Sequence, residues 1–199
     1  MYNGGPAYVV DIIDESLNKL IPIARNMPEI EKECWLELVC RYYQLSTSFA
    51  LRSLNKKRAL HHAKLAIDVA RELESSDLLI AAYYRRIRVH LDLRKAETSV
   101  IAQQKHVANA QADVQAALDD LEQVGPILRG NFYLIAAEAF SLDANDASQR
   151  KQCEKWQDRA ATLVYRAETD EDDTFLKLNA TGLHHEKAKT LLQFGRYGR

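Results

Sequence analysis

The chain has 199 residues, of which 47% are hydrophobic and 28% charged, with only 7 Gly and 4 Pro. This balance excludes a disordered polymer and a glycine-punctuated sheet protein, and it favours helices in one domain or one array of helical repeats. The formal net charge of -1 hides a basic middle, Arg52 to Lys105, and an acidic stretch that follows it. No apolar run approaches the roughly 20 residues that cross a bilayer, so we expect a soluble, cytoplasmic protein with no membrane contact.

Apolar residues recur at spacings of three and four along most of the chain, which predicts helices. Pro28, the Gly125-Pro126 pair and the two serines Ser75 and Ser76 mark boundaries, and Asp146 followed by Gln149 has the pattern of a capping box. The predicted helices, in chain order, are Val9–Ala24, Glu31–Leu51, Lys57–Glu74, Asp77–Leu93, Ala96–Val124, Leu128–Leu142, Asp146–Ala167 and Gly182–Phe194.

The segment Ala96–Val124 contains neither Gly nor Pro, so we expect one long helix there. A heptad of apolar residues runs along it, namely Val100, Val107, Val114 and Leu121. Such a seam is expected to pack on its own helical array. The less favoured alternative is a contact with a second copy of the chain. Gln103, Gln104 and Gln111 would make any such homodimer contact wet and weak.

Small residues recur on one face of three of the predicted helices, which indicates internal repeats. Ala59, Ala63, Ala66 and Ile67 have counterparts in Ala110, Val114, Ala117 and Leu118, and again in Cys153, Gln157, Ala160 and Ala161. The offsets are longer than the tetratricopeptide period of about 34 residues, so the repeats would carry insertions.

With these helices the chain resembles the tetratricopeptide repeat (TPR) family. Four segments carry the resemblance: Trp35, Leu38, Val39 and Tyr42; Phe132, Ile135, Ala136 and Ala139; more loosely, Tyr83, Arg86, Ile87 and His90; and, near the end, Ala188, Leu191, Leu192, Gly195 and Tyr197. Val39 and Ile87 depart from the family because they replace a small residue, and the family's proline is absent. More distantly, the chain is similar to the C-terminal sensor modules of bacterial helix-turn-helix transcription regulators, although residues 1–77 show no DNA-reading helix pair.

The resemblance implies an all-α, right-handed superhelical stack of antiparallel helix pairs. Residues 1–30 would form an N-terminal helix and linker, and residues 31–199 an array of about three and a half repeats that ends inside a repeat. Stacking is expected to bury Leu38, among other apolar residues. The first helices of the pairs would line a concave groove, with Tyr43, Tyr84, Arg88, Tyr133, Phe140, His185 and Lys189 on it.

Aromatic and cationic side chains are typical of surfaces that bind peptides or proteins. Because no acidic residue lies among these seven, we expect an acidic segment or a free carboxylate as the ligand. An alternative interpretation is that the aromatic rings fill space between helices and that the cations are solvated. The predicted function is a non-catalytic protein- or peptide-binding module, the regulatory part of a larger bacterial protein. The alternative is a structural or oligomerising helical module whose groove is unused.

Catalytic and metal-binding patterns are absent from the sequence. The pairs His61-His62 and His184-His185 are adjacent on helices, where neighbours point about 100 degrees apart, so neither pair chelates one metal ion. Cys34, Cys40 and Cys153 are expected to be buried free thiols. We therefore expect no catalytic residue, metal or cofactor. We also expect no contact with nucleic acid through this region, because Arg86 points away from the side that Arg85 and Arg88 share.

Overall fold

A computed structural model of the chain describes residues 6–143, 147–164 and 179–196. These residues form eight α-helices and one 3₁₀ turn, and none of them lies in a strand. The all-α class predicted from the sequence is therefore confirmed. The helices are α1 (Pro6–Asn26), α2 (Glu29–Arg52), α3 (Lys56–Glu72), α4 (Ser76–Ala96), α5 (Val100–Ala117), α6 (Pro126–Ser141), α7 (Ala147–Val164) and α8 (Ala180–Arg196), with the 3₁₀ turn at Leu121–Gln123.

The chain divides into two compact units, residues 1–89 and 90–199, with the boundary inside α4. In the first unit, α1 packs on α2 and α2 packs on α3. In the second unit, α5 packs on α6, α6 packs on α7, and α8 packs on both α6 and α7. Consecutive packing of this kind is compatible with a helical repeat. The predicted start of a repeat array at residue 31 stays a prediction.

In the first unit, α3 presents a face of alanine side chains to its neighbours. Ala59, Ala63 and Ala66 are completely buried, and Ile67 beside them is 1% exposed. Small side chains allow helix backbones to approach closely. The approach is close enough for the Cys40 thiol of α2 to donate a hydrogen bond to the backbone oxygen of Ala66, 3.4 Å away.

Two turns in the first unit share one geometry. Leu54 after α2 and Glu74 after α3 have positive φ angles of 62° and 50°. In each turn the next amide reaches back five residues, from Asn55 to Ala50 and from Ser75 to Ala70. Left-handed residues with these bonds end helices in the Schellman manner, usually with glycine. Neither turn contains a glycine, yet both helices end within two residues of their predicted ends.

In the second unit, α6 is buried on almost all sides. A helix that is apolar all round is typical of a protein core. The buried residues of α6 are Ile127, Leu128, Gly130, Phe132, Tyr133, Leu134, Ile135, Ala136, Ala137, Glu138, Ala139 and Ser141.

Small residues again mark the faces of the helices beside α6. Ala110 and Ala117 of α5, and Cys153 and Ala160 of α7, are completely buried. Together with Ala66 of α3, they show that the small-residue pattern found in the sequence marks buried helix faces in three helices.

The positions that suggested a common repeat register have unlike environments. Phe132 and Ile135 are at most 1% exposed, whereas Trp35 is partly exposed and Leu38 is 38% exposed. The expected burial of Leu38 is therefore wrong, because the buried stripe of α2 runs through Leu36 and Val39 on the neighbouring face. Gly195, which the resemblance places at a turn, lies inside α8. Tyr197, Asp146 and Ala167 fall outside the described residues.

The prediction of one long helix over Ala96–Val124 is wrong. α4 continues to Ala96, and α5 begins only at Val100 and ends at Ala117. Ser99 caps α5, since its side chain accepts a hydrogen bond from the amide of Ala102 at 3.5 Å. Gly and Pro are thus not required for the break, because a hydroxyl that satisfies free amides is enough to start a new helix.

The heptad seam on this segment is only partly buried. Val107, Val114 and Leu121 are at most 7% exposed, whereas Val100 is 65% exposed and its neighbour Ile101 is 80% exposed. The first turn of α5 therefore presents apolar side chains to solvent.

We expect the substitution Ala66→Leu to destabilise the chain by about 1–3 kcal/mol, because the added atoms have no space between α3 and its neighbours. Lys64→Leu places the same side chain on an exposed position of α3 and is expected to change stability by less than about 0.5 kcal/mol. Urea unfolding followed by circular dichroism measures both. Equal stabilities for the two variants would contradict the close packing of α3.

Candidate ligand-binding cleft

The second unit contains a cleft of about 430 Å³. One wall is a single face of α5, where residues at spacings of three and four turn the same way. The end of α4 and the end of α6 form the remaining walls of the cleft. The lining residues are Arg94 of α4, Val100, Gln103, Gln104, Val107, Ala108 and Gln111 of α5, and Leu142 and Asp143 after α6.

Hydrogen bonds hold two of the three glutamine side chains of the cleft. Gln103 donates through Nε2 to the backbone oxygen of Glu97 at 2.7 Å. Gln111 donates through Nε2 to the backbone oxygen of Ala139 at 3.4 Å. Gln104, between them on α5, is exposed. The cleft therefore has three carboxamide groups along α5, and two of them are hydrogen-bonded to the backbone of neighbouring segments.

Arg94 supplies the positive charge of the cleft. Its side chain is half-buried, and among the described residues it forms no ion pair. A guanidinium has five N–H donors in a planar fork that matches a carboxylate. The arrangement thus offers a cation, carboxamides, two valines and, at the end of α6, the carboxylate of Asp143 in one concavity. Such a mixture is typical of sites that bind small polar ligands or short segments of chain.

None of the seven residues predicted to line a groove lines this cleft. Tyr43, Tyr84 and Arg88 belong to the first unit. Tyr43 is buried, with its ring 5.7 Å from that of His62, and burial raises the pKa of its hydroxyl. Tyr84 and Arg88 are half-buried.

Tyr133 and Phe140, in the second unit, have defined partners there. The Tyr133 hydroxyl donates to Glu122 Oε1 at 2.8 Å, and Arg159 lies over its ring at 5.6 Å. Burial, and then the bond to Glu122, raises the pKa of Tyr133, and the same bond lowers the pKa of Glu122. Phe140 packs edge-on against Trp156 at 5.1 Å.

His185 and Lys189, on α8, share one acidic neighbour. Lys189 Nζ lies 2.8 Å from Glu186 Oε1, and His185 Nδ1 lies 3.6 Å from the same atom. The expectation that no acidic side chain accompanies these cations is therefore wrong for α8. A common groove formed by all seven residues stays a prediction.

A second polar cluster joins three helices of the first unit. The Ser46 hydroxyl of α2 lies 2.7 Å from His62 Nδ1 of α3, and His62 Nε2 lies 3.7 Å from Asp14 Oδ1 of α1. Arg58 pairs with Asp14 and, at 2.8 Å, with Asp11. In the sequence His62 stands out only as a neighbour of His61, and no local pattern indicates its contacts with Ser46 and Asp14.

Serine, histidine and aspartate in contact resemble the catalytic groups of some hydrolases. The Ser46 side chain is completely buried, however, and His62 is 6% exposed, so a substrate has no path to the hydroxyl. The cluster instead links α1, α2 and α3. Burial lowers the pKa of His62, and the charge of Asp14 opposes this only in part.

The cysteines divide into two kinds. Cys40 and Cys153 are buried, and burial raises their pKa values to about 11 and about 12, which leaves the thiols protonated and unreactive. Cys34 is exposed, so the expectation that all three are buried is wrong for it. It lies on the exposed side of α2, one turn before Leu38.

Within the described ranges no helix is long and apolar enough to cross a membrane. The same part of the chain contains no group of three or more metal-ligating side chains. Comparisons with protein-family models, with curated proteins and with solved structures find no match to this chain.

The lowered pKa of His62 predicts a pH-dependent stability. At pH values between the pKa of His62 in the folded chain and its higher pKa in the unfolded chain, the folded chain binds fewer protons than the unfolded chain. The free energy of unfolding is therefore largest above about pH 6.5 and falls as the pH decreases toward the pKa of the folded chain. The slope is at most about 1.4 kcal/mol per pH unit. Unfolding by urea between about pH 5 and pH 8 should show it, and His62→Gln should flatten the curve, whereas His61→Gln, on an exposed ring, should not. An unchanged slope in His62→Gln would contradict the assignment.

The bond between Tyr133 and Glu122 predicts a loss of about 0.5–1.5 kcal/mol in the free energy of unfolding for Tyr133→Phe. Tyr42→Phe is the matched control, because the Tyr42 hydroxyl has no partner among the described residues. Thermal and urea unfolding give both values. If the control costs as much, the Tyr133 hydroxyl does not stabilise the turn that carries Glu122.

Proposed function

We propose that the chain is a non-catalytic module that binds a protein or peptide segment in the cleft of the second unit. The observation that carries the proposal is the row of carboxamides on one face of α5, with Gln103 and Gln111 anchored and Gln104 exposed between them. A carboxamide has both donors and an acceptor, as a peptide group does, so it pairs with peptide backbone whatever the side chain. A volume of about 430 Å³ lies within the usual range of small-ligand sites.

The ligand in this proposal carries an acidic group or a free carboxylate. Arg94 is the cation in the cleft, and a half-buried guanidinium gains most from a bidentate carboxylate. Arg94 takes the role that the sequence assigned to Arg88 and Lys189, since Lys189 already pairs with Glu186. Val100 and Val107 would contact an apolar side chain of the same segment.

The finer architecture belongs to the same proposal. We take the helices to form a TPR-like, right-handed stack that serves as the regulatory part of a larger bacterial protein. Buried small residues in α3, α5 and α7 and the packing of consecutive helices support the stacked arrangement of helices. All three cysteines are free thiols, which is typical of a cytoplasmic protein.

A second candidate function is oligomerisation through the first turn of α5. Val100 and Ile101 are 65% and 80% exposed, and a second copy of the chain would cover them in a weak homodimer. Sedimentation at high micromolar concentration distinguishes the two functions. A dimer that dissociates in Ile101→Glu would favour oligomerisation, whereas a monomer would favour the cleft as a ligand site.

The test of peptide binding is selection from a random peptide library displayed on phage. Selected peptides, made synthetically, should bind at least about tenfold more weakly to Arg94→Glu, because a charge-assisted pair is lost and a repulsion gained. Gln104→Ala should also weaken binding.

Lys105→Glu is the matched control. It makes the same change of charge on α5, at an exposed residue outside the cleft, and should leave affinity unchanged. Failure to select any peptide, or equal losses in Arg94→Glu and Lys105→Glu, would overturn the proposal.

A further inference from the structure

Two histidines of the second unit face each other beside the cleft. His90 lies on α4, one turn before Arg94, and His106 lies on α5, one turn after Gln103. Their Nδ1 atoms are 3.2 Å apart, and the ring centroids are 5.5 Å apart with the planes tilted by 36°. His90 is 6% exposed, whereas His106 is half-buried. Solvent therefore reaches the pair from the side of His106.

The separation of the two nitrogens suits a shared metal ion. Imidazole nitrogens bind Zn²⁺ at about 2.0–2.1 Å, and at a tetrahedral angle two such ligands lie roughly 3.3–3.4 Å apart. The observed 3.2 Å needs only a small rotation of the rings. A neutral imidazole carries one hydrogen, which either nitrogen can hold. In the metal-free chain one Nδ1 donates its hydrogen to the other. With both hydrogens on Nε2 instead, each Nδ1 has a lone pair with which to bind one ion between α4 and α5.

The two nitrogen ligands restrict which metal ions the pair can bind. Imidazole nitrogens favour zinc, nickel and copper, whereas calcium and magnesium require oxygen ligands. Among the described residues no third histidine, cysteine or carboxylate completes the set. Water would therefore occupy the remaining positions, and the half-buried side of His106 provides the way in.

We propose that His90 and His106 bind one divalent transition-metal ion through their Nδ1 atoms. The site would bridge α4 and α5 across the break at residues 97–99. It does not rest on peptide binding in the cleft, and either proposal can fail without the other.

The test is calorimetric titration of the whole chain, without an affinity tag, with NiCl₂ and with ZnCl₂ at about pH 7.5 in a non-coordinating buffer. One ion should bind per chain. His106→Gln, at the more exposed member of the pair, should weaken binding more than about tenfold, since loss of a ligand costs at least as much as loss of its supporting contacts. Binding should weaken below about pH 6.5, where protons compete for imidazole nitrogens.

The matched control replaces the exposed histidines of α8, His184→Gln with His185→Gln, and should retain the site. Circular dichroism establishes that each variant folds, and His106→Asn replaces His106→Gln if that variant does not. In the unsubstituted chain, Ni²⁺ should broaden the ring proton resonances of two histidines only, His90 and His106.

Four results would overturn the proposal, three of them from the titrations. These are no binding of either ion at 1 mM, equal affinity in the folded His106 variant, or loss of the site in the α8 control. Broadening of any other histidine pair would overturn it as well.

Discussion

The close contact between helices that small side chains permit is the constraint on which the rest of the molecule depends. On α3, α5 and α7 most of the completely buried positions hold alanine or cysteine, and larger side chains there would separate the backbones. Polar contacts between helices accompany this packing. Gln44 donates to the backbone oxygen of Leu78 at 3.0 Å, and Gln111 reaches that of Ala139 at 3.4 Å. Each unit is thus held by apolar packing, with a few side chains bonded to the backbone of another helix.

Periodicity predicted the helices well because it is a local property. A face of apolar residues every three or four positions indicates a helix whatever surrounds it. Within the described residues a helix lies in each of the eight predicted segments, although the one predicted over Ala96–Val124 is limited to Val100–Ala117. The error at Ala96–Val124 has an equally local cause. Ser99 caps a new helix and Gln103 bonds to the backbone of Glu97, and these two side chains end the continuity that the absence of Gly and Pro suggested.

The candidate sites could not be predicted from the sequence because they depend on which helices contact each other. Tyr43 and Tyr133 were expected on a groove, but large rings also fill space between helices, and both are buried. The glutamines of α5 were recognised as polar, yet only the neighbouring ends of α4 and α6 turn them into a cleft. His90 and His106 are 16 residues apart on different helices, a spacing that belongs to no metal-binding motif.

The burial of α6 has a consequence for how the chain is made. Synthesis runs from the N-terminus, so α6 leaves the ribosome before α7 and α8, which cover it. During that interval the apolar face of α6 that α7 and α8 cover is open to water, and exposed apolar surface of this kind promotes aggregation of nascent chains. The second unit therefore has a period during translation when a chaperone, or rapid elongation through α7, would most affect the yield of folded protein.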